Sequence, residues 1–437
     1  MSFFPSIKKE HKEAVGLLQI GTFLEYFDLF IYVHLAVLLN DLFFPKTDQR
    51  TAALLSAFTF CTTYLFRPIG ALLFGYIGDQ IGRKAAIIIS TTLMSISCFF
   101  MCILPTYAEV GLYASFAMIA CRILQSFSAT GEVIGAEIYL SELIKPPASY
   151  QLVSWLYEIC TLGSLAALLV TSVILKCNAN WRYVFAFGAV VGFSGALARR
   201  TLKESPTFLK ANAGNRNHNR NFRNESMRKT SLAFFLIYIG LPLCFYLNYI
   251  YFADFLKAVM KYTPEEVIHH NLFLTLFSFI IGVGVILLSK KIHPLKILRI
   301  RGTLSLLVFI AIPLLPLTNI YVLTTAQIAL LLFSLETSPA IAIFFLHFPV
   351  HQRFTYSSML YAVSRAVMYV TVSFGLVYLT DYLGHVGIWI IALPVCIGFL
   401  WGVDHFTVLE MQEREKELGD QYQKIEPVKQ LHVVRNA

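Results

Sequence analysis

Charge is what this sequence has least of. Of its 437 residues only 14% are Asp, Glu, Lys or Arg, where a typical soluble domain carries about 25%. Hydrophobic residues make up 57%, so a chain long enough for two or three soluble domains has too little polar surface to clothe them. Its missing motifs exclude further classes. The eight cysteines show no CxxC and no Cys/His spacing, and most fall inside apolar segments, as at Cys61, Cys98, Cys121 and Cys244. They read as small buried apolar residues, and no metal or cofactor is expected. HExxH and GxSxG are absent, so the catalytic constellations of a membrane enzyme are not there and no enzymatic activity is expected. The opening MSFFPSIKKEHKEAVG has neither an early apolar core nor a cleavage site, and the first span is expected to serve as an uncleaved signal.

What the chain does have is apolar runs of bilayer length. They are about 20 residues long and not alternating ten-residue segments, which favours helices over a barrel. The expected fold is all-α and membrane-integral, with about twelve helices. These fall near 15–39, 51–77, 86–104, 109–135, 152–175, 181–198, 232–253, 269–289, 303–318, 321–346, 355–379 and 385–404. A basic, Asn-rich interval at 199–231 divides them into two sets of six, with 1–14 and 405–437 as terminal segments. The centre of that interval, ANAGNRNHNRNFRN, buries too little apolar surface to order itself. In the terminal segment Met411, Leu418 and Ile425 recur at heptad spacing, but Gly419, Pro427 and charges in the second row favour a solvated helix over a coiled coil.

The net charge of +9 reports topology and not a nucleic-acid partner. Lys8, Lys9 and Lys12, then Arg83 and Lys84, Lys145, the central interval, Lys290 to Arg301 and Arg353 occupy alternate connections. The others hold Asp41, Asp48, Glu109, Glu265, Glu266 and Asp381. Both termini and the central interval are therefore expected in the cytoplasm. Six plus six helices with both ends inside is a two-bundle transporter layout.

The stretch RPIGALLFGYIGDQIGRK, Arg67 to Lys84, ends one span and opens the next. Its Gly75, Asp79, Gly82, Arg83 and Lys84 match the GxxxDxxGRK turn between helices two and three of the major facilitator superfamily. GTFLEYFDLFIY (21–32), RILQSFSATGEVIGAE (122–137), NWRYVFAFG with ESPTF (204–208), and FPVHQRFTYSSMLY (348–361) agree with it. Together they resemble the metabolite:proton symporter branch, which includes proline/betaine, citrate, α-ketoglutarate and shikimate permeases. Ser126 and Thr130 stand where that branch has glycines, and IKPPASY lacks its arginine-rich turn. The second half keeps positive charge in SKKIHPLKILRIRG but not the Asp or the glycine spacing. The resemblance implies a monomeric carrier in the bacterial inner membrane that takes up a small polar metabolite with protons. A uniporter or exporter of the same fold, or a non-transporting sensor, stands as the alternative. The turn from Gly75 to Lys84 would be its cytoplasmic gate.

Buried charges mark the working residues, since each costs at least a few kcal/mol at mid-membrane on insertion scales. Glu25 and Asp28 are three apart and share a helix face with Gly21 and Tyr32. They are expected to carry protons, or to pair with a buried arginine. Gln125, Ser128 and Glu132 form a stripe that the resemblance puts at a central cavity. Glu132 is the first choice for proton carrier, with Arg122 as its partner or as anchor for a substrate anion; a static ion pair is the plainer role. Arg67, Gln125 and Tyr32 are expected among the substrate contacts; Arg67 is also expected to reach Glu25 or Asp28, and Glu137 to join Asp79 and Arg83. Glu158, Glu336 and Arg365 are further buried charges. Tyr246, Asn248, Tyr249 and Tyr251 suit either a quaternary cation or, as the preferred reading, an interfacial aromatic belt.

Overall fold

The structure is a computed structural model that describes residues 9–45, 64–177, 180–213 and 225–434. The start of the expected second span and the Asn-rich centre of the central interval lie outside the described residues. The described residues contain helices and no strand. In chain order they are α1 (Lys9–Phe43), α2 (Arg67–Gln80), α3 (Arg83–Ile103), α4 (Leu112–Leu143), α5 (Ala148–Cys177) and α6 (Arg182–Ala198). Then follow α7, pieced from Glu225–Tyr238, Gly240–Tyr246, a π-helical Leu247–Tyr251 and Phe252–Ala258, and α8 (Pro264–Leu288) and α9 (Pro294–Ala311). In α10, Ile320–Leu332 and Ile341–Leu346 flank a break. Arg353–Val370, a π-helical Thr371–Gly375 and Leu376–Leu383 form α11, and α12 is Gly387–Val434. Eight helical segments among the described residues are long and apolar enough to cross a membrane, and one of them takes in both α11 and α12.

Helices α1 to α6 pack on one another, as do α7 to α12, and the two bundles meet chiefly where α2 lies on α11 and α5 on α8. The α2–α11 contact depends on missing side chains. A Cβ on Gly75 would stand 2.7 Å from Thr355 Cα, and one on Gly78 would strike the Phe354 ring. The outward faces carry Leu72, Phe116, Leu307 and Ile397, all exposed, as helices bathed in lipid require.

Local chemistry sets several ends. At the α2–α3 turn Gly82 has φ +140, which L side chains rarely adopt, and a Cβ there would also meet the Glu204 carboxylate. Glu204 accepts hydrogen bonds from the backbone N–H groups of Arg83 (3.0 Å) and Lys84 (3.3 Å), so an acid from beyond α6 caps the start of α3. Ahead of α4, a capping box between Thr106 and Glu109 closes the short Tyr107–Val110 turn. Those bonds hold the Glu109 carboxyl below its usual range.

Four expectations change. The tenth span is not continuous over 321–346: the helix stops at Leu332, and Pro339 lies in the turn before it resumes. The two last carbonyls of its first half, Leu331 O and Leu332 O, receive Arg301 at 3.3 and 3.2 Å. Arg301 itself moves, because α9 starts at Pro294 and not near 303, so this arginine is a buried helix residue and not part of a basic connection. Arg199, assigned to the central interval, is fully buried against the first bundle. The 405–437 segment begins as an uninterrupted extension of α12, whose residues Arg414 to Lys416 are exposed.

Candidate substrate cavity and its charged surroundings

A cavity of about 110 Å³ lies between the bundles. The first bundle gives it Tyr26 from α1, Tyr64 and Arg67 at the start of α2, and Tyr157 from α5. The second gives Asn248 and Tyr249 from the π-helical part of α7, Glu336 from the break in α10, and Arg365 and Tyr369 from α11. Two aromatic pairs cross it: Tyr64 on Tyr369, with ring centroids 4.0 Å apart, and Phe30 edge-on to Phe245 at 5.9 Å.

Its three charged groups differ in what neutralises them. Arg67 Nη2 is 3.3 Å from Glu25 Oε1, and Nη1 donates across the bundle boundary to Tyr361 Oη at 3.5 Å. Glu336 Oε2 is 3.3 Å from Arg301 Nη2. Arg365 has no carboxylate within ion-pair distance among the described residues; its guanidinium lies 4.4 Å from the Tyr361 ring centre, with Nε buried and unpartnered. A buried guanidinium without an acid is a ready anion site.

A second set of charges is sealed inside the first bundle. Glu132 Oε1 is 2.6 Å from Arg199 Nη1, and its Oε2 accepts from Thr91 Oγ1 at 2.5 Å and Ser90 Oγ at 3.4 Å. Arg199 donates to Leu17 O at 2.9 Å and Leu18 O at 3.0 Å, and also to the Thr91 hydroxyl. Arg122 lies 3.8 Å from the Tyr32 ring centre, donates to Gln125 Oε1 at 2.6 Å, and stands 3.8 Å from Asp28 Oδ2. The Cys98 thiol donates to the other oxygen of Asp28 at 3.4 Å.

The expected Glu132–Arg122 partnership therefore gives way to Glu132–Arg199 and Asp28–Arg122. The reason is helix geometry: ten residues of α4 separate Arg122 from Glu132, about 15 Å along the axis. The stripe also faces elsewhere than expected. Ser128 and Glu132 line a small pocket within the first bundle together with Gly21, Glu25 and Asp28, not the cavity between bundles. Of the expected substrate contacts, Arg67 and Asn248 line the cavity; Arg122, Gln125, Tyr32 and Tyr246 do not. Of the α7 aromatics, Tyr249 lines the cavity, while Tyr251 Oη bonds His385 Nδ1 at 2.8 Å in the turn between α11 and α12.

A third set joins the bundles at the end that carries the α2–α3 turn. Asp79 accepts from the backbone N–H groups of Phe354 (3.0 Å) and Thr355 (2.8 Å) and from Thr355 Oγ1 (2.7 Å), all on α11. Arg83 donates to Val350 O at 2.6 Å and pairs with Asp79 at 3.2 Å. Glu142, at the end of α4, accepts from Arg83 at 3.1 Å and from Arg353 at 2.9 Å. Lys84 reaches Arg200 O at 2.7 Å and takes no part in this junction. Glu142 was not anticipated, although two arginines at one end called for a second acid there. Glu137 does not join this network; it is buried between the bundles with Oε2 unpartnered.

A twelve-helix plan in two bundles, a central cavity and a charged junction at one end define a secondary transporter. Residues 18–368 match the family model described as Major Facilitator Superfamily, and the chain belongs to that family. Among curated proteins it is 31% identical over 204 residues to the "Proline/betaine transporter" of Salmonella typhimurium, 45% of this chain and 41% of that one. The protein of the same name from Escherichia coli K12 is 30% identical over the same length and shares. The match spans less than half the length of these curated relatives. Among solved structures, the proton:xylose symporter XylE bound to 6-bromo-6-deoxy-D-glucose superposes with a TM-score of 0.74 at 15% identity, over 90% of this chain and 94% of that one. At that identity the likeness concerns fold alone.

Proposed function

We propose that this chain imports a small zwitterion, a betaine or an amino acid, together with protons, by rocking its two bundles about the central cavity. Arg365 carries the reading. It is a cavity-lining cation without a carboxylate partner among the described residues, so a substrate carboxylate completes it. Tyrosines 26, 64, 157, 249 and 369 surround the same space, and Glu336 supplies negative charge. Aromatic faces and one acid suit the cationic end of the same molecule. The name shared by the curated relatives points the same way.

Proton coupling falls to Glu25 first and Asp28 second. Glu25 is tied to the cavity through Arg67, one of its oxygens is unpartnered, and Arg67 also touches Tyr361 of the other bundle. A proton on Glu25 would release Arg67, and bundle movement would follow. Glu132, fully held by Arg199, Thr91 and Ser90, serves as a static pair. The basic end is the cytoplasmic one, so the Asp79–Arg83–Glu142–Arg353 junction is a closed inner gate. The protein works as a monomer in the bacterial inner membrane, with both termini in the cytoplasm.

The test is uptake of labelled glycine betaine and proline into proteoliposomes under an imposed inward proton gradient. Accumulation that collapses with a protonophore is expected, and Glu25→Gln retains exchange without accumulation. Equal uptake with and without the gradient makes the protein a uniporter, and no movement of either solute removes the zwitterion reading.

A further inference from the structure

Glu158 has no part in the scheme above, yet its setting is unusual. It lies on α5, is 1% exposed, and its Oε2 finds no partner among the described residues. Its carboxyl group rests on α8 of the other bundle, over Gly282: a Cβ built there would overlap Oε1 and lie within 2.5 Å of Oε2. Only a residue without a side chain leaves room for the acid. Position along the helices puts this contact just beneath the cavity. Tyr157, one residue before Glu158, and Ser278, one turn before Gly282, both line it. From here α8 and α5 both run on to the basic end.

The charged groups that act on Glu158 are Glu336 of α10 and Arg301 of α9. Arg301 is already engaged by Glu336 and by the carbonyls of Leu331 and Leu332. From α8 the facing group is Gly282, with no charge, and the titratable neighbours on α5 are Tyr157 and Cys160. An ionised carboxylate here would be desolvated, short of a hydrogen bond and close to a second acid. A neutral acid needs no counter-charge and no second hydrogen bond in this sealed contact.

We propose that Glu158 is a second proton-carrying residue, whose neutral acid is what allows α5 and α8 to close beneath the cavity. The inference rests on the proton-coupled reading above. With the basic end closed, the carboxyl group keeps its proton against Gly282. When the bundles part at that end, water reaches the group, the O–H bond breaks, the proton passes to water on that side and the carboxylate remains. Closure then requires reprotonation. Glu25 and Asp28 sit inside the first bundle; Glu158 sits on the boundary and senses closure.

The experiment measures the distance between spin labels on Lys145 and Lys296, exposed residues near the basic end of the two bundles, in full-length protein in nanodiscs from pH 5 to 9 without substrate. Wild type is expected to lengthen as pH rises. Glu158→Gln, a permanent neutral mimic, is expected to hold the short distance throughout, with the pH shift lost. Glu158→Asp, which still titrates, keeps a pH shift and covers the case in which the Gln variant fails to fold. A Gln variant that opens with pH like wild type overturns the proposal, and so does a wild type whose distance ignores pH. The readout needs no transport. Loss of the shift in Glu158→Gln alongside a failure of proton-driven uptake would sink the uptake reading and leave Glu158 as a closure sensor.

Discussion

The two bundles treat buried charge in opposite ways. The first pairs three of its acids internally, Glu25 with Arg67, Asp28 with Arg122 and Glu132 with Arg199, and leaves Glu137 and Glu158, at its boundary with the second, without an ion pair among the described residues. Among the described residues the second has one such buried pair, Arg301 with Glu336, set at a break in a helix, and Arg365 has no carboxylate within ion-pair distance. Paired charges in a low-dielectric interior change state only when a proton or a competing ion arrives. An unpaired one waits for a ligand. The difference divides labour between the halves, with proton handling in the first and solute recognition in the second.

The sharpest way to break that comparison is Arg365→Gln. Losing one partner of a buried charge pair costs about 2–5 kcal/mol, so substrate affinity should fall by roughly 30-fold or more. Isothermal titration with glycine betaine reads this, and an unchanged affinity would return recognition to the first bundle. An effect of similar size, on stability instead of affinity, belongs to Glu132→Gln, which leaves Arg199 buried without its counter-charge. A destabilisation of about 3–5 kcal/mol is expected, seen as a lowered thermal midpoint in detergent, while surviving protein still accumulates solute. Loss of accumulation without loss of stability would make Glu132 a proton carrier after all. The smallest effect belongs to Glu204→Ala at the α2–α3 turn. Removing a helix cap costs about 1 kcal/mol, and a slight fall in thermal midpoint with normal substrate binding should result.

How much of this was legible in the sequence varies with the length of the signal. Long apolar runs and a charge bias between connections announce a helical membrane protein, and each extends over tens of residues. The turn from Gly75 to Arg83 could be placed because its glycines and charges are local. Partners were harder. The sequence leaves Arg67 a choice between Glu25 and Asp28, and the fold gives it Glu25, with Asp28 facing Arg122. Glu132 was matched to Arg122 because the two are near in sequence, while its partner Arg199 comes from the exit of α6, 67 positions away by residue number. Hydropathy places an arginine at a span's edge outside it, which is why Arg199 and Arg301 read as loop charges in the sequence. Each in fact turns inward to backbone carbonyls. The break in α10 was masked by the apolar residues on either side of it.

Arg301 does work that broken membrane helices elsewhere give to a soluble cation, holding freed carbonyls and a carboxylate around one positive centre. Here that centre is covalently attached. It cannot dissociate during a cycle, it draws on no ion gradient, and it ties the end of the first α10 segment to the acid of the break. Shortening the side chain would turn the anchor into a vacancy of known shape, and added guanidinium would be the natural molecule to fill it.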